Sequence, residues 1–399
     1  MRERAILVTF DEGDDELSEL SKASGLDVSK VFDCHLRTLN ARLYIGGGKA
    51  DEIAFAVKKE EADVVVFDAD LSPSQQRNLE EVLGTKTIDR TQLILDIFAL
   101  RARSIEARLQ VELAQLKYLL PRLGGEGIYL SRLGGGVGTR GPGEQKLEVD
   151  RRHIRERITR LEREFKQIDR RRVTAIEKKK RKDWPIVALV GYTNAGKSTL
   201  FNRLTGAGVF VKNQLFSTLD TTTRLVELPG NQKALLTDTV GFIKKLPHHL
   251  VESFKATLEE AVHADILLHV VDASRPDTRP VLSAVNGVLE NLGVDTQKVY
   301  VVWNKADLIE TEKKAGPMRV SALTGQGIGE LEEFLSTMLG RSRVVTSFFL
   351  PRNKLGLSSL LYKQTDVLER KDSVDGSTFK VRALPSIQKL IEKRLSAGA

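Results

Sequence analysis

The chain reads as an α/β protein of several domains, and three observations lead to that reading. At 399 residues it is longer than one ordinary domain and long enough for two or three hydrophobic cores. Its 41% hydrophobic and 29% charged content lies near the averages of folded domains. Short apolar runs that read as buried strands alternate with helix-like segments over most of its length.

From Ala5 to about Ile88 the runs AILVTF, RLYIGG, ADVVVFDAD and TKTID alternate with helical segments such as KADEIAFAVKKEE. This predicts an N-terminal α/β domain over residues 1–90 with a mostly parallel sheet. Residues 91–182 change character. Thr91 to Leu123 predicts one long helix with Ile105, Leu109, Leu116, Leu119 and Leu123 at heptad positions. A glycine-rich stretch over 124–144 follows, and then a second long helix carries Leu147, Ile154, Ile158, Leu161, Phe165 and Ile168, mostly in steps of four and three. Two heptad-patterned helices with a short connection make a long antiparallel helical hairpin the natural arrangement. PIVALVG, from Pro185, reads as a buried strand and opens a third domain over 183–340 of alternating strands and helices. Residues 341–399, with TSFFL, the helix-like NKLGLSSLLYKQ and two more strand-like runs, predict a small C-terminal α+β domain.

Charge is unevenly spread. The net charge is +8, yet Arg151 to Lys182 alone holds fifteen Lys/Arg against five Asp/Glu, a net of +10, so the remainder is slightly acidic. A block of one sign this pronounced predicts contact with a polyanion; the plainer alternative is that it solubilises a hinge into the next domain. The single cysteine, Cys34, cannot form an intramolecular disulfide and has no metal-ligand spacing, which fits a reducing compartment. The N-terminal apolar run is too short for a signal peptide, and no stretch reaches the roughly 18 apolar residues that span a bilayer. The expectation is a cytoplasmic protein without membrane insertion.

GYTNAGKS, Gly191 to Ser198, matches G-x-x-x-x-G-K-[ST] between a strand and the helix-like TLFNRLTG. In that pattern the backbone of Gly191, Tyr192, Thr193, Asn194, Ala195, Gly196, Lys197, Ser198 and Thr199 surrounds phosphates at a helix N-terminus. Lys197 reaches the terminal phosphates and the Ser198 hydroxyl binds Mg²⁺. Asp238, Thr239, Val240 and Gly241 form DTVG at the end of the strand-like KALLTD, where Asp238 can hold a Mg²⁺-bound water and Gly241 can bring its N–H near a γ-phosphate. Further on, VYVVW leads into Asn304, Lys305, Ala306 and Asp307. Asp307 there can accept two N–H donors of guanine, whereas adenine would leave a buried carboxylate unpaired. Lys305 can cover the base, and Ser321, Ala322 and Leu323 offer backbone N–H groups to the purine oxygen.

The order GKS, DxxG, NKxD and SAL resembles the translation-factor-related GTPases, whose domain is Ras-like. The resemblance implies GTP as substrate and Mg²⁺ as cofactor. It places Phe216, Ser217, Thr218, Leu219 and Asp220 of NQLFSTLDTTTR on the nucleotide, with Thr218 sensing Mg²⁺ and the γ-phosphate and joining Lys197 and Gly241 as catalytic groups. Thr221, Thr222 and Thr223 are nearby alternatives. Ras-like proteins carry a glutamine after DxxG to position the attacking water; this chain has Phe242, so unaided hydrolysis should be slow. Asn194 resembles the P-loop asparagine of GTPases that bind K⁺ in place of an arginine finger; the alternative is an asparagine that only hydrogen-bonds its own loop.

GGGVGTRGPGE, Gly134 to Glu144, contains G-x-G-x-x-G, but neither a preceding strand nor a returning βαβ unit accompanies it, as a dinucleotide site requires. It reads instead as a flexible tip that, with Arg140 and the basic helix behind it, could probe RNA closely. Together with the long flanking helices, GYTNAGKST and FSTLD, it resembles the HflX family of GTPases over residues 1 to about 340. Where that family carries proline after the aspartate, this chain has Thr221. The resemblance implies a ribosome-stimulated GTPase, monomeric when free. Its N-terminal domain and hairpin would engage the large ribosomal subunit and its rRNA, and it would split stalled or stress-arrested ribosomes. Three other readings compete. One is an rRNA-remodelling or subunit-assembly factor; another is an ATP-driven RNA remodeller with a second phosphate loop at IGGGKAD, Ile45 to Asp51; the third is a membrane-associated signalling GTPase.

Overall fold

The computed structural model describes residues 2–10, 15–35, 38–123, 142–180, 184–206, 216, 221–243, 262–276, 278–309, 318–340 and 343–396. It divides into two compact units: Met1–Arg171 with Lys212–Asp220 and Ile243–Ala256, and Arg172–Val211 with Thr221–Phe242 and Thr257–Ala399. Among the described residues no helix is long and apolar enough to cross a membrane.

The first unit begins with β1 (Arg4–Thr9), α1 (Glu16–Ser24), β2 (Asp27–Asp33), α2 (Gly47–Glu60), β3 (Val64–Phe67), α3 (Pro73–Leu83), β4 (Lys86–Asp89) and α4 (Arg90–Arg101). The strands form one parallel sheet in the order β2-β1-β3-β4. Helix α3 shows how local sequence sets an element. Ser72 and Gln75 form a reciprocal capping box, Pro73 starts the first turn, and Gly84 closes the helix with φ 69°.

The expected strand RLYIGG is not one. Asn40 Oδ1 accepts the N–H groups of Arg42 and Leu43, forming a tight turn that buries Leu43 and Ile45, and glycines follow directly. The second strand is DVSKVFD, an edge strand exposed along much of its length, so its residues carry little apolar signal.

The single helix expected over 91–123 is two. α4 buries Leu93, Ile94, Leu95, Ile97 and Phe98, and the chain breaks at Ser104, which caps α5 (Ile105–Leu119) by accepting the Ala107 N–H. The buried residues of α5 are Ala107, Gln110, Val111, Leu113, Ala114 and Tyr118 rather than the expected heptad positions, and Ile105 is 76% exposed. The second long helix is present as α6 (Pro142–Lys180). Its stripe of Ile154, Ile158, Leu161, Phe165 and Ile168 is shielded, with Leu161 fully buried, while Arg152, Arg155, Arg160, Arg163 and Lys166 are exposed. Glu112 receives a two-pronged ion pair from Arg157, and Lys117 pairs with Glu162. Both pairs tie α5 to α6 and join residues 45 apart in the chain. Residues 124–141 of the glycine-rich tip, Arg140 among them, lie outside the described residues, and Pro142, Gly143 and Glu144 already belong to α6. Phe216 is buried in this unit, its ring edge-on to Phe98 with centroids 4.6 Å apart.

The second unit contains β5 (Ile186–Gly191), α7 (Lys197–Thr205), β6 (Thr222–Leu228), β7 (Gln232–Asp238), β8 (Ile266–Asp272), α8 (Thr278–Asn291), β9 (Val299–Asn304) and α9 (Ile328–Gly340). Its sheet runs β6-β7-β5-β8-β9, parallel except for the β6–β7 hairpin. β5 and β8 are buried along their whole lengths, as strands covered on both faces must be. Leu200 and Phe201 of α7 and Leu331 and Leu335 of α9 pack on one face; Val285 and Leu289 of α8 pack on the other. The carboxyl ends of β5, β7, β8 and β9 therefore share one edge, where open α/β sheets place their ligands. The chain ends with β10 (Val344–Pro351), α10 (Ser358–Gln364), β11 (Asp366–Ser373), β12 (Gly376–Ala383) and α11 (Pro385–Ser396), an antiparallel sheet of order β10-β12-β11 packed on Leu361 and Ile391 of its helices.

Candidate functional site

β5 delivers the chain into the phosphate loop at Gly191, with φ 147°; a Cβ there would stand 2.2 Å from Val270 O of the neighbouring strand. The loop turns through Asn194 (φ 61°) and Gly196 (φ 87°) into α7. No side chain caps α7, so its first N–H groups are left for an anion. Lys197 arches back over the loop, donating to Gly191 O at 3.1 Å and Tyr192 O at 2.8 Å. Burial pulls its pKa down to about 8, and the nearby Asp238 carboxylate only partly offsets this. A polyphosphate would supply the missing negative charge.

Ser198 Oγ donates to Asp238 Oδ2 at 2.6 Å, and both residues are buried. Thr239 anchors DTVG by donating from Oγ1 to Leu189 O at 2.7 Å. Val240 is buried behind it. Gly241 lies directly on the phosphate loop: a Cβ there would come within 2.9 Å of Thr193 Cα and 3.0 Å of Lys197 Nζ. The buried Thr193 Oγ1 has no hydrogen-bond partner among the described residues. Phe242 donates its N–H to Gly191 O and accepts the Thr193 N–H, while its ring sits in the apolar cluster under α8 and can orient no water. Thr199 follows in the first turn of α7, half-buried.

The NKAD and SAL residues converge on Asn304. Its Nδ2 donates to Ala195 O at 2.9 Å and its Oδ1 accepts the Ala322 N–H at 3.0 Å. Lys305 is held in the left-handed region at φ 62° and donates from Nζ to Asp272 Oδ2 at 2.6 Å. Asp272 Oδ1 in turn accepts from Ser274 N and Oγ. Asp307 lies exposed on the short turn Ala306–Leu308. Ser321 is buried, Ala322 nearly so, and Leu323 is 74% exposed.

Two residues here escaped the sequence reading. Asp272 ends the run ILLHVVD, and an acid closing a buried strand at the same sheet edge as NKAD was the available clue. His269, in the middle of that strand, gave none. It is fully buried, and neither ring nitrogen makes a well-formed hydrogen bond among the described residues. Burial, and then the charge of Lys197, push its pKa down to about 4, with the Asn286 side chain opposing weakly. Ser217, Thr218, Leu219 and Asp220 lie outside the described residues, and Phe216 is placed against Phe98 as noted above.

A lysine-bearing phosphate loop, a buried serine–aspartate pair, a DxxG glycine seated on that loop and an NKxD–SAL pair tied together by one asparagine define a P-loop GTPase, an enzyme that hydrolyses GTP. Comparison with known proteins agrees. Family models match in sequence along the chain: GTP-binding GTPase N-terminal (11–99), GTP-binding GTPase Middle Region (101–179), 50S ribosome-binding GTPase (186–305) and HflX C-terminal domain (307–399). The GTPase HflX of Caldanaerobacter subterraneus subsp. tengcongensis is 46% identical over 97% of this chain and 92% of its own length. That of Escherichia coli K12 is 42% identical over 94% and 92%. A GTP-binding protein from Sulfolobus solfataricus in complex with GDP is similar in structure at 26% identity and a TM-score of 0.46, over 85% of this chain and 99% of that one. The chain belongs to the HflX family of GTPases.

Proposed function

We propose that this GTPase binds the large ribosomal subunit through rRNA and, in its GTP state, splits stalled or stressed ribosomes into subunits. The observation that carries the RNA half of this reading is α6. Arg152, Arg155, Arg160, Arg163 and Lys166 stand exposed on it, while the apolar stripe is turned inward. A membrane-seeking helix would need that stripe outward. The description of the matched family model, 50S ribosome-binding GTPase, points to the same partner.

In this reading, residues 183–340 form the switch, and the backbone from Gly191 to Thr199 cradles the phosphates. Lys197 gives its charge to the terminal phosphates, and binding GTP returns to that ammonium the counter-charge that burial denies it. Mg²⁺ fits the site: Ser198 Oγ and Asp238 Oδ2 are buried hard oxygen donors that already meet, with Asp238 acting through water and Thr218 completing the set. When bound, Mg²⁺ neutralises charge on the phosphates. Asp307 and the SAL backbone read guanine, and Lys305, braced by Asp272, lies over the base. Phe242 leaves the attacking water without an orienting amide, so hydrolysis is slow until the ribosome, or a K⁺ ion at Asn194, supplies that contribution. GTP favours tight docking, and hydrolysis releases the protein.

Sucrose-gradient sedimentation of ribosomes with the protein and a non-hydrolysable GTP analogue tests this, with GDP and an ATP analogue as controls. The expected result is subunits, with the protein on the large one only in the GTP state. Binding to ribosomes that stay whole would replace splitting with an rRNA-remodelling or assembly role.

A further inference from the structure

We infer that Arg203, on α7, is the residue that sets guanine-O6 recognition by holding the SAL loop in its reading position. The inference rests on the guanine reading of Asp307 and the SAL backbone given above. Arg203 Nε donates to Ala322 O at 3.2 Å, and one of its terminal nitrogens donates to Leu323 O at 2.6 Å. Both are charge-assisted bonds from one rigid guanidinium to consecutive peptides.

Peptide geometry makes those contacts matter. The Ala322 carbonyl and the Leu323 N–H belong to one planar trans unit and point in opposite directions, so fixing the carbonyl toward Arg203 fixes the N–H away from it. The neighbouring amides are already committed: Ser321 N–H to Gln326 O, Ala322 N–H to Asn304 Oδ1, and Thr324 N–H to Ser321 Oγ. The Leu323 N–H is therefore the donor this loop presents to a base oxygen, and Arg203 sets its direction. Asn304 cannot substitute, because it holds the Ala322 N–H and not the plane that follows. Gly325, at φ 94°, lets the chain turn beside the guanidinium: a Cβ there would sit 3.4 Å from the Arg203 terminal nitrogen.

Arg203 is committed to the loop carbonyls and acts on the base through the loop, so its signature is a change in base discrimination. The full-length protein is titrated with GDP, inosine diphosphate and 6-thioguanosine diphosphate, displacing a fluorescent GDP. Inosine lacks only the 2-amino group that Asp307 reads, and 6-thioguanine replaces only O6, by a larger and weaker acceptor. In Arg203→Ala the preference for GDP over the 6-thio analogue is expected to fall about fivefold, the worth of one uncharged hydrogen bond, while the preference over the inosine nucleotide stays. Arg203→Lys, with one compact donor, should recover part of the lost preference. The inference is overturned if Arg203→Ala keeps both preferences, or if both collapse together. A wild-type protein indifferent to the inosine nucleotide would instead refute the guanine reading itself. Arg203→Gln is the second variant if alanine unfolds the domain.

Discussion

Replacing His269 by leucine should make the GTPase domain markedly less sensitive to acid. His269 is held neutral by burial, with a pKa of about 4 against 6.5 for an unperturbed histidine. The folded value is the lower one, so on acidification the unfolded chain takes up the proton first. The stability that goes with the neutral ring is fully present above about pH 6.5 and is lost as the pH falls towards about 4. Across the whole window the loss is about 3 kcal/mol, and at pH 5 it is roughly 2 kcal/mol relative to pH 7.5. Leucine cannot titrate and fills a similar volume, and it removes a buried polar ring that makes no well-formed hydrogen bond among the described residues, so at pH 7.5 the variant should be no less stable. Urea unfolding followed by tryptophan fluorescence measures this, because both tryptophans, Trp184 and Trp303, lie in that part of the chain. The loss from pH 7.5 to 5, wild type minus variant, is expected to be about 2 kcal/mol, and all other titrating groups cancel in the comparison. A difference under about 0.5 kcal/mol would refute the view that burial keeps this ring neutral.

The phosphate-loop lysine makes a separate prediction. Because Lys197 is pulled down to about 8 in the free protein and regains a counter-charge on binding, nucleotide binding at pH 8 should take up about half a proton. Calorimetry in buffers of different ionisation enthalpy would show it, and zero uptake would deny the phosphate contact. Asp307→Asn should trade guanine for xanthine preference, read out by competition between GDP and xanthosine diphosphate. Reversing Arg152, Arg155 and Arg160 to glutamate should weaken ribosome binding and flatten its dependence on salt; an unchanged slope would mean that these side chains meet no phosphates. If Asn194 helps hold K⁺, ribosome-stimulated GTP hydrolysis should be faster in KCl than in NaCl, and equal rates would remove that role.

The phosphate and base loops were legible in the sequence because their chemistry needs fixed residue types at fixed spacings. GYTNAGKS, DTVG, NKAD and SAL arrive at one sheet edge with their side chains engaged. What stayed hidden has physical reasons. DVSKVFD is an edge strand with little to bury, whereas RLYIGG buries apolar side chains from a turn, so hydrophobicity alone chose the wrong segment. The break at Ser104 follows from a cap that looks like any other serine. Periodicity gave the shielded stripe of α6 but not the ion pairs that tie it to α5, since heptad spacing encodes apolar positions and not which charges meet. Asp272, Arg203 and His269 act through long-range contacts that no local pattern encodes.

The contact between Gly196 and Asn304 changes how lesions in this site should be sorted. A Cβ on Gly196 would fall 2.3 Å from Asn304 Nδ2, and Asn304 is also what holds the Ala322 N–H. A side chain added at Gly196 would thus first dislodge the asparagine that ties the phosphate loop to the SAL loop. Substitutions at Gly196 belong genetically with those at Asn304, and a variant selected for altered base choice could carry its change in the GKS motif, on the phosphate side of the nucleotide.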